Sequence, residues 1–280
     1  MARRTGLSRL ATVLAVALGL LTPMAANMVG ARAGAPLVST TRAVARVAAI
    51  DPAIDHRPTV LLRRPVPSAV GRQLALVDRW TNVLVRVPRT LPALARPRGG
   101  AAQVGVVPGG SKYYGFPIVA WVEEISADGR WGRVELPYTW PRREGWIWIR
   151  SLERSTTRIR VEVDLSSHTV TVRRFGKVLF RVAGATGSPS SPTPPGDYFV
   201  TDRVAFPAGG ALGSFAFGIS GIQPRLPAGW SGGNQLAIHG TNQPWSIGRS
   251  VSAGCVRVSE ATLDRLLPLL AYGTPVVVRP

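Results

Sequence analysis

The stretch "AIHGTNQPWSIGRSVSAGCVR", residues 237–257, holds the single cysteine of the 280-residue chain and one of its three histidines. Gly254, just before Cys255, lets the backbone turn so that successive N–H groups can converge on one point. His239 follows the apolar run QLAI, which predicts an imidazole at the end of a strand. A thiol nucleophile requires a base and N–H donors for the oxyanion that forms on the attacked carbonyl. The stretch therefore predicts a site for thiol chemistry, built from a strand end and a loop.

Arginine dominates the charge of the chain. Lysine and arginine together number 34 against 15 aspartates and glutamates, which gives a formal net charge of +19, and the lysines are Lys112 and Lys177 alone. A charge of this sign and size predicts an anionic partner. The sequence has no zinc-finger spacing, RNP-type aromatic strand or phosphate-binding loop, so we expect no nucleic-acid partner. Anionic polymers of the cell envelope fit the charge better.

The amino terminus has the layout of an export signal. Three arginines within the first nine residues precede an uncharged apolar run, and small residues follow it, so residues 1–35 are interpreted as a signal peptide or signal anchor. Residues 10–31 carry no charge and are long enough to remain as a membrane anchor. We therefore expect an exported protein, in the cell wall or at the outer face of the cytoplasmic membrane.

Export also limits the interpretation of Cys255. In an oxidising compartment a structural cysteine usually has a disulfide partner, and this chain has no second cysteine. Three roles stay open for the thiol: a bridge to another chain, a passive buried residue, or a nucleophile. His239 nearby favours the nucleophile. Two protonation states remain open for the pair: an ion pair at neutral pH, or a neutral pair whose proton moves only during attack.

The middle of the chain predicts a linker followed by a group of strands. Residues 36–77 are rich in Ala, Val, Arg and Pro without a sustained period and are interpreted as a linker. Within residues 78–154, the runs NVLVRV, PIVAWVEEI, RWGRVEL and EGWIWIR predict the strands of a small β-barrel, with a hairpin turn at Asp128-Gly129. The order of RWGRVEL and the trailing GWIWIRSLE resembles the bacterial SH3-like modules of wall enzymes.

Residues 157–280 predict a second β domain. The segment RIRVEVDLSSHTVTVRRFGKVLFRVAGAT alternates as an antiparallel meander, with His168 on the surface beside its first turn. Residues 206–234 are rich in glycine and predict one long loop that acts as a lid. Ser259 is placed to cap a helix over EATLDRLLPLLAY that Gly273 ends and that Pro268 kinks or shortens, and TPVVVRP predicts a closing strand. The predicted fold class is therefore mostly β, with one or two short helices.

The cysteine motif and a proline-rich element upstream of it resemble one family. HGTNQPWSIGRSVSAGCVR, together with ATGSPSSPTPPGDYFVTD, is similar to the L,D-transpeptidases with YkuD-type catalytic domains, whose mark is His-Gly, a loop, and Ser-x-Gly-Cys followed by a polar residue. The matching residues are His239, Gly240, Ser252, Gly254, Cys255 and Arg257. Ala253 stands where many members carry a second histidine, so His239 is the sole histidine of the motif. The resemblance covers roughly residues 159–280 and implies a β-sandwich-like catalytic domain.

The resemblance implies a two-step acyl transfer between peptidoglycan stem peptides. Cys255 attacks the peptide bond before the terminal D-alanine of a tetrapeptide stem, and D-alanine leaves. The thioester then reacts with the side-chain amine of a diamino acid on a neighbouring stem, which gives a 3-3 crosslink. In this scheme His239 activates the thiol, and the Gly240 carbonyl orients the imidazole.

The same resemblance assigns the remaining motif residues. The backbone N–H groups of Ala253, Gly254 and Cys255 are expected to form the oxyanion hole. Ser252 and Arg257 are expected to shape the loop or to bind a substrate carboxylate. A structural ion pair is the alternative for Arg257.

Partners and competing functions follow from these assignments. We expect stem peptides and anionic wall polymers as partners, and carbapenem-type β-lactams as covalent inhibitors. No cofactor and no metal are expected, because histidine, cysteine and acidic residues do not cluster in the sequence. Two alternatives remain: an L,D-carboxypeptidase, in which water resolves the thioester, and a non-catalytic cell-wall-binding protein.

Overall fold

The computed structural model describes residues 79–280. The predicted signal segment, residues 1–35, and the predicted linker, residues 36–77, lie outside the described part, so both stay predictions. Strands make up most of the described chain, which confirms the mostly-β fold class. Within residues 79–280, no helix is long and apolar enough to cross a membrane.

An antiparallel sheet of seven strands fills the first part of the described chain, in the spatial order β3-β2-β6-β5-β4-β1-β7. Its strands are β1 (Asn82–Val87), β2 (Leu91–Leu94), β3 (Gln103–Val107), β4 (Ile118–Ile125), β5 (Trp131–Glu135), β6 (Glu144–Trp148) and β7 (Arg154–Thr157). Side chains alternate between the two faces of a strand, and in β4 this alternation buries Ile118, Ala120 and Val122 while their neighbours are partly exposed. The four quoted runs of the sequence thus form strands as predicted, while the SH3-like identity of this sheet stays a prediction.

The second sheet has eight strands among the described residues, in the order β10-β9-β8-β17-β12-β13-β14-β16. Its strands are β8 (Ile159–Asp164), β9 (Thr169–Arg174), β10 (Lys177–Ala183), β12 (Gly196–Ala205), β13 (Phe215–Ile222), β14 (Gln235–His239), β16 (Val256–Arg257) and β17 (Pro275–Arg279); β11 (Thr186–Gly187) and β15 (Ser250–Ser252) form a separate parallel pair. The antiparallel meander β8-β9-β10 confirms the predicted pattern. Two pairs of the large sheet, β8 with β17 and β14 with β16, are parallel.

One α-helix, α1 (Glu260–Leu266), follows β16 in the described chain. Ser259 caps it as predicted, since the Ser259 hydroxyl accepts a hydrogen bond from the backbone N–H of Thr262 at 3.2 Å. The helix ends two residues before Pro268, which has no backbone N–H to continue it. A 3₁₀ turn at Pro244–Ser246 is the second short helical element within residues 79–280.

The prediction of one long loop over residues 206–234 is wrong. Strand β13 lies in the middle of this segment and pairs with both β12 and β14. Its Gly218 lies opposite Asp202, and a β-carbon on Gly218 would come within 2.6 Å of the side-chain nitrogen of Gln235. Glycine serves here for close packing inside a strand, so a glycine-rich composition did not indicate a loop. Two shorter loops remain, residues 206–214 and residues 223–234.

Candidate active site

The floor of the site is one face of strands β12, β13 and β14. Because side chains alternate along β14, Gln235, Ala237 and His239 face one side of the sheet, while Leu236 and Ile238 are buried in the core on the other side. The side chains on the first side line a cavity of about 300 Å³. The strand therefore places the predicted imidazole in the cavity wall rather than in the core.

Cys255 reaches the same cavity through the parallel pairing of β16 with β14. Ile238 pairs with Val256, so Cys255 lies beside the preceding part of β14. Its half-buried thiol donates a long hydrogen bond to the Gln235 carbonyl oxygen, with Sγ and O 3.9 Å apart. Within residues 79–280 no hydrogen bond joins Sγ to the imidazole of His239. The two side chains therefore face one cavity, with the thiol held by the backbone of β14.

Gly254 shapes the turn before the cysteine. Its φ of +117° lies in the region that favours glycine, and a β-carbon there would collide with the side-chain amide of Gln223. The buried hydroxyl of Ser252 accepts a hydrogen bond from the Gly254 N–H at 3.0 Å and donates one to the Cys255 carbonyl at 2.6 Å. Ser252 thus shapes the loop. The Gly254 N–H is engaged in the turn, which leaves Ala253 and Cys255 as the other candidate oxyanion donors.

Two buried residues that the sequence analysis missed hold this turn from behind. The Thr193 hydroxyl donates to the Gly254 carbonyl at 2.7 Å and accepts from the Gly187 N–H at 2.8 Å. The Gln223 side-chain nitrogen lies 3.2 Å from the Ala253 carbonyl oxygen and 2.9 Å from that of Pro192. Thr193 lies in the proline-rich element of the resemblance, which was a signal for it. Nothing local marks Gln223.

His239 is held by its neighbour in the chain. Its ring Nδ1 donates to the Gly240 carbonyl, 2.5 Å away, because a carbonyl can only accept; the neutral ring then carries its lone pair on Nε2. This is the contact that the resemblance assigned to Gly240. A β-carbon on Gly240 would collide with the carboxylate of Glu260, so α1 packs closely against this glycine.

Burial keeps the imidazole neutral. The His239 side chain is 4% exposed, and this burial lowers its pKa from the ordinary value of 6.5 to about 4. Hydrogen bonding to the backbone of Gly240 and Leu212 opposes the shift, while the positive charge of Arg257 adds to it. At neutral pH the ring can therefore accept a proton.

The thiol is also neutral. Burial raises the pKa of Cys255 above its ordinary value, and both a hydrogen bond from the backbone of Ala237 and the charge of Arg257 oppose that rise.

Arg257 donates to the side-chain oxygen of Gln243 at 2.8 Å and contacts no acidic residue among residues 79–280. The ion pair considered for Arg257 is thus not found in the described chain, and its charge faces the thiol.

The cavity walls come from three parts of the chain. Loop 206–214 contributes Phe206, Ala211 and Leu212, and loop 223–234 contributes several residues from Gln223 to Asn234. The third part is the connection between β3 and β4 in the first sheet. The cavity is also lined by the side chains of Tyr113, Tyr114, Asp202, Val204, Ala216, Leu226 and Trp230.

His168 lies away from this cavity, although it is not the plain surface residue that the sequence predicted. It is half-buried, and its Nδ1 lies 3.1 Å from the Thr186 hydroxyl. Within residues 79–280 no three His, Cys, Asp or Glu side chains gather as a metal-binding group. His239 is the one histidine of the described chain that lines the cavity with the thiol.

A thiol, a fixed neutral imidazole and backbone donors around one cavity define an enzyme site suited to nucleophilic attack on a carbonyl. Residues 158–278 match the family model YkuD, described as the L,D-transpeptidase catalytic domain. Residues 158–278 are thus similar to the L,D-transpeptidase catalytic domain of the YkuD type, as the motif around Cys255 predicted. The match begins after the first sheet ends.

Two curated Bacillus subtilis (strain 168) proteins, both named provisionally as L,D-transpeptidases, are similar to this chain. YkuD is 28% identical over 118 residues, which cover 42% of this chain and 64% of YkuD. YqjB is 32% identical over 103 residues, which cover 34% of this chain and 56% of YqjB. The match thus spans less than two thirds of the length of either relative.

Solved structures of L,D-transpeptidases are also similar. A mutant of the Enterococcus faecium enzyme is 24% identical, with a TM-score of 0.34 and coverage of 43% of this chain and 49% of that chain. An L,D-transpeptidase from Mycobacterium tuberculosis is 19% identical, with a TM-score of 0.37 and coverage of 78% and 88%. Another, solved in complex with imipenem, gives the same four values.

Proposed function

We propose that this protein is an exported peptidoglycan L,D-transpeptidase that forms 3-3 crosslinks through a thioester on Cys255. One observation carries the proposal: within a YkuD-type domain, the thiol of Cys255 and the imidazole of His239 line one cavity. The ring lies on the cavity face of β14, and the thiol of Cys255 lies beside that strand. The cavity is large enough for the end of a peptide.

In the first step the neutral pair must exchange one proton. The thiol leaves the Gln235 carbonyl, gives its proton to Nε2 of His239, and Sγ attacks the carbonyl before the terminal D-alanine. The C–S bond forms, the peptide C–N bond breaks, and D-alanine leaves with the proton that the imidazolium returns. Gly240 keeps Nδ1 occupied, so Nε2 is the nitrogen that carries the proton.

The negative charge that develops on the attacked oxygen needs donors. The backbone N–H groups of Ala253 and Cys255 are the oxyanion donors that we propose, because the Gly254 N–H already donates to Ser252. The resemblance assigned all three N–H groups. Gly254 instead fixes the turn that aims the other two.

In the second step an amine from another stem attacks the thioester. His239 takes a proton from the attacking nitrogen, the new C–N bond forms, the C–S bond breaks, and the thiolate recovers the proton. The Arg257 guanidinium supports the transient thiolate by its charge, since it already favours the ionised thiol. The same guanidinium is available for a substrate carboxylate because it has no acidic partner within residues 79–280.

The first test is product analysis with a synthetic stem tetrapeptide that carries a diamino acid at its third position. We expect mass spectrometry to detect released D-alanine and a crosslinked dimer, and the Cys255→Ala variant to lose both while retaining its melting temperature. A trimmed tripeptide without any dimer would make hydrolysis, the L,D-carboxypeptidase alternative, the main activity. Unchanged turnover by Cys255→Ala would exclude the thioester and leave wall binding as the alternative.

Two partner proposals accompany this function. A carbapenem-type β-lactam is a strained acyl donor, so we expect one covalent adduct on Cys255 and none on Cys255→Ala. The arginine-rich charge of the chain suits anionic wall polymers, whose binding should weaken as salt rises. Export to the wall or to the outer face of the membrane remains part of the proposal.

A further inference from the structure

The connection between β3 and β4 brings the first sheet to the catalytic cavity. Tyr113 and Tyr114 of this connection line the cavity and are 45% and 50% exposed. Every other lining residue comes from Asp202 onward, within the YkuD-type domain. The cavity is therefore a composite, with one wall from outside the catalytic domain.

Tyr113 is bonded to the neck of loop 223–234. Its hydroxyl donates to the side-chain oxygen of Asn234 at 3.0 Å and accepts from the Asn234 backbone N–H at 3.2 Å. Lys112 donates to the same side-chain oxygen at 3.2 Å. Gly233, with a φ of +77°, packs against the tyrosine so closely that a β-carbon would lie 3.0 Å from the hydroxyl. Asn234 thus has three hydrogen bonds to the first sheet's connection.

Asn234 is connected to the backbone around the Cys255 thiol by a few hydrogen bonds and by its neighbour in the chain, Gln235. Its carbonyl accepts from the Gln223 N–H at 2.7 Å, which closes the loop, and the Gln223 side chain holds the Ala253 carbonyl beside the cysteine. The next residue, Gln235, supplies the carbonyl that accepts from the Cys255 thiol. A shift of Asn234 would therefore move both the loop and the backbone around Sγ.

The contacts between Tyr113 and Gly233 also influence the position of Trp230 at the open end of the cavity. Trp230, in loop 223–234, is 48% exposed and donates from its indole nitrogen to the Gly233 carbonyl at 2.6 Å. Gly233 packs on Tyr113, so the ring that holds the loop neck also sets the position of the indole. A ligand that extends out of the cavity would contact both aromatic side chains.

We propose that the first sheet supplies one wall of the substrate site, and that Tyr113 is the residue that positions loop 223–234 over Cys255. This inference rests on the proposed function, since it assigns the first sheet a part in binding the stem peptide. A long stem peptide reaches the mouth and depends on the loop. A small β-lactam fits near the thiol and depends on it much less.

The test uses the full chain with Tyr113→Phe, which keeps the ring and removes the hydroxyl. We expect KM for the stem tetrapeptide to rise about three- to tenfold, because two hydrogen bonds of ordinary strength are lost at a partly exposed position. kcat and the rate of β-lactam adduct formation should change less than KM. Hydrogen exchange of the amides in residues 224–233 should become faster.

Two further variants make the test specific. Tyr272→Phe removes a hydroxyl from a half-buried tyrosine outside the cavity lining and should leave KM and exchange as in the unchanged protein. Asn234→Ala should raise KM as Tyr113→Phe does, and the effects in the double variant should be less than additive, because both changes break the hydrogen bond from the Tyr113 hydroxyl to the Asn234 side-chain oxygen.

The outcomes separate this inference from the proposed function. If the unchanged protein forms neither a β-lactam adduct nor a dimer, the proposed function is wrong. If it forms both, and Tyr113→Phe has the KM and exchange of Tyr272→Phe, the positioning role is wrong while the function stands. A rise in KM accompanied by equally large falls in kcat and in the rate of β-lactam adduct formation would also overturn the positioning role of Tyr113. Such changes would indicate general damage to the fold.

Discussion

At the scale of single residues, the site keeps its two reactive groups uncharged. Burial lowers the pKa of His239 to about 4 and raises the pKa of Cys255. The sequence left an ion pair and a neutral pair open, and these directions favour the neutral pair. In the mechanism that we propose, His239 is then the base that receives the proton during attack, because it is deprotonated across the whole neutral range.

The pH dependence of acylation tests whether His239 is a neutral base at the start of the reaction. The imidazole works as a base only when neutral, so the rate should be lost as pH falls through about 4, not through the ordinary value of 6.5. His239→Ala should lower the rate by about 10² to 10⁴ and remove this acid limb. The measurement is β-lactam adduct formation against pH by mass spectrometry. An acid limb near 6.5, or a variant with an unchanged profile, would contradict the mechanism.

Thr193 carries a second residue-scale prediction. Thr193→Val keeps the shape but leaves the Gly254 carbonyl and the Gly187 N–H without their buried partner, so we expect a loss of about 2–3 kcal/mol in the free energy of unfolding. Adduct formation should slow as well, because Gly254 fixes the turn before Cys255. Denaturant titration gives the stability. Thr193→Ser keeps the hydroxyl and is the matched control; equal losses in both variants would mean that the hydroxyl does not matter.

At the scale of elements, two loops rather than one cover the cavity. Loop 206–214 is tied to α1, since Ser214 donates from its backbone and side chain to the Glu260 carboxylate. Loop 223–234 is closed at its neck by the Gln223–Asn234 hydrogen bond and is exposed at its tip. The second loop has fewer anchors beyond its neck, so it is the better candidate for movement during turnover.

Shortening that loop should change the fate of the thioester. When residues 226–232 are replaced by a short Gly-Ser bridge, we expect the ratio of hydrolysis to transfer to rise, because water reaches the thioester more easily. Product analysis by mass spectrometry measures the ratio. The same replacement in residues 96–101, the exposed turn between β2 and β3 away from the cavity, is the control. An unchanged ratio with normal adduct formation would make the loop a simple connector.

At the scale of the whole molecule, the two sheets share packing. Phe199 of β12 is fully buried in the core of the first sheet, although it belongs to the second. Its backbone N–H donates to the Ser220 hydroxyl at 3.1 Å, and that hydroxyl donates to the buried carboxyl of Glu135 in the first sheet. The backbone N–H of Tyr138 donates to the Ser220 carbonyl at 2.7 Å. Unfolding one sheet would therefore expose the core of the other.

We therefore expect residues 79–280 to unfold in a single transition, with equal calorimetric and van't Hoff enthalpies. Phe199→Ala should lower the free energy of unfolding by about 3–5 kcal/mol, as for other buried aromatic rings. Phe175→Ala removes a ring that is 52% exposed and should cost less than about 1 kcal/mol. Scanning calorimetry of the full chain measures the number of unfolding transitions and the stability of each variant. Two separated transitions would mean that the sheets are independent domains, as the predicted boundaries at 154 and 157 suggest.

The sequence by itself determined what depends on neighbours along the chain. Alternating side chains located strands such as β4, β8 and β9, a serine located the start of α1, and the motif located His239 and Cys255, because strand faces, caps and tight turns arise from residues a few positions apart. The tertiary structure alone decided the parallel pairings of β8 with β17 and of β14 with β16. It also decided which side chains support the turn at Gly254 and that Tyr113 forms a cavity wall. These contacts join segments far apart in the chain, and a hydrogen bond from a side chain to a distant backbone carbonyl leaves no periodic pattern in the sequence.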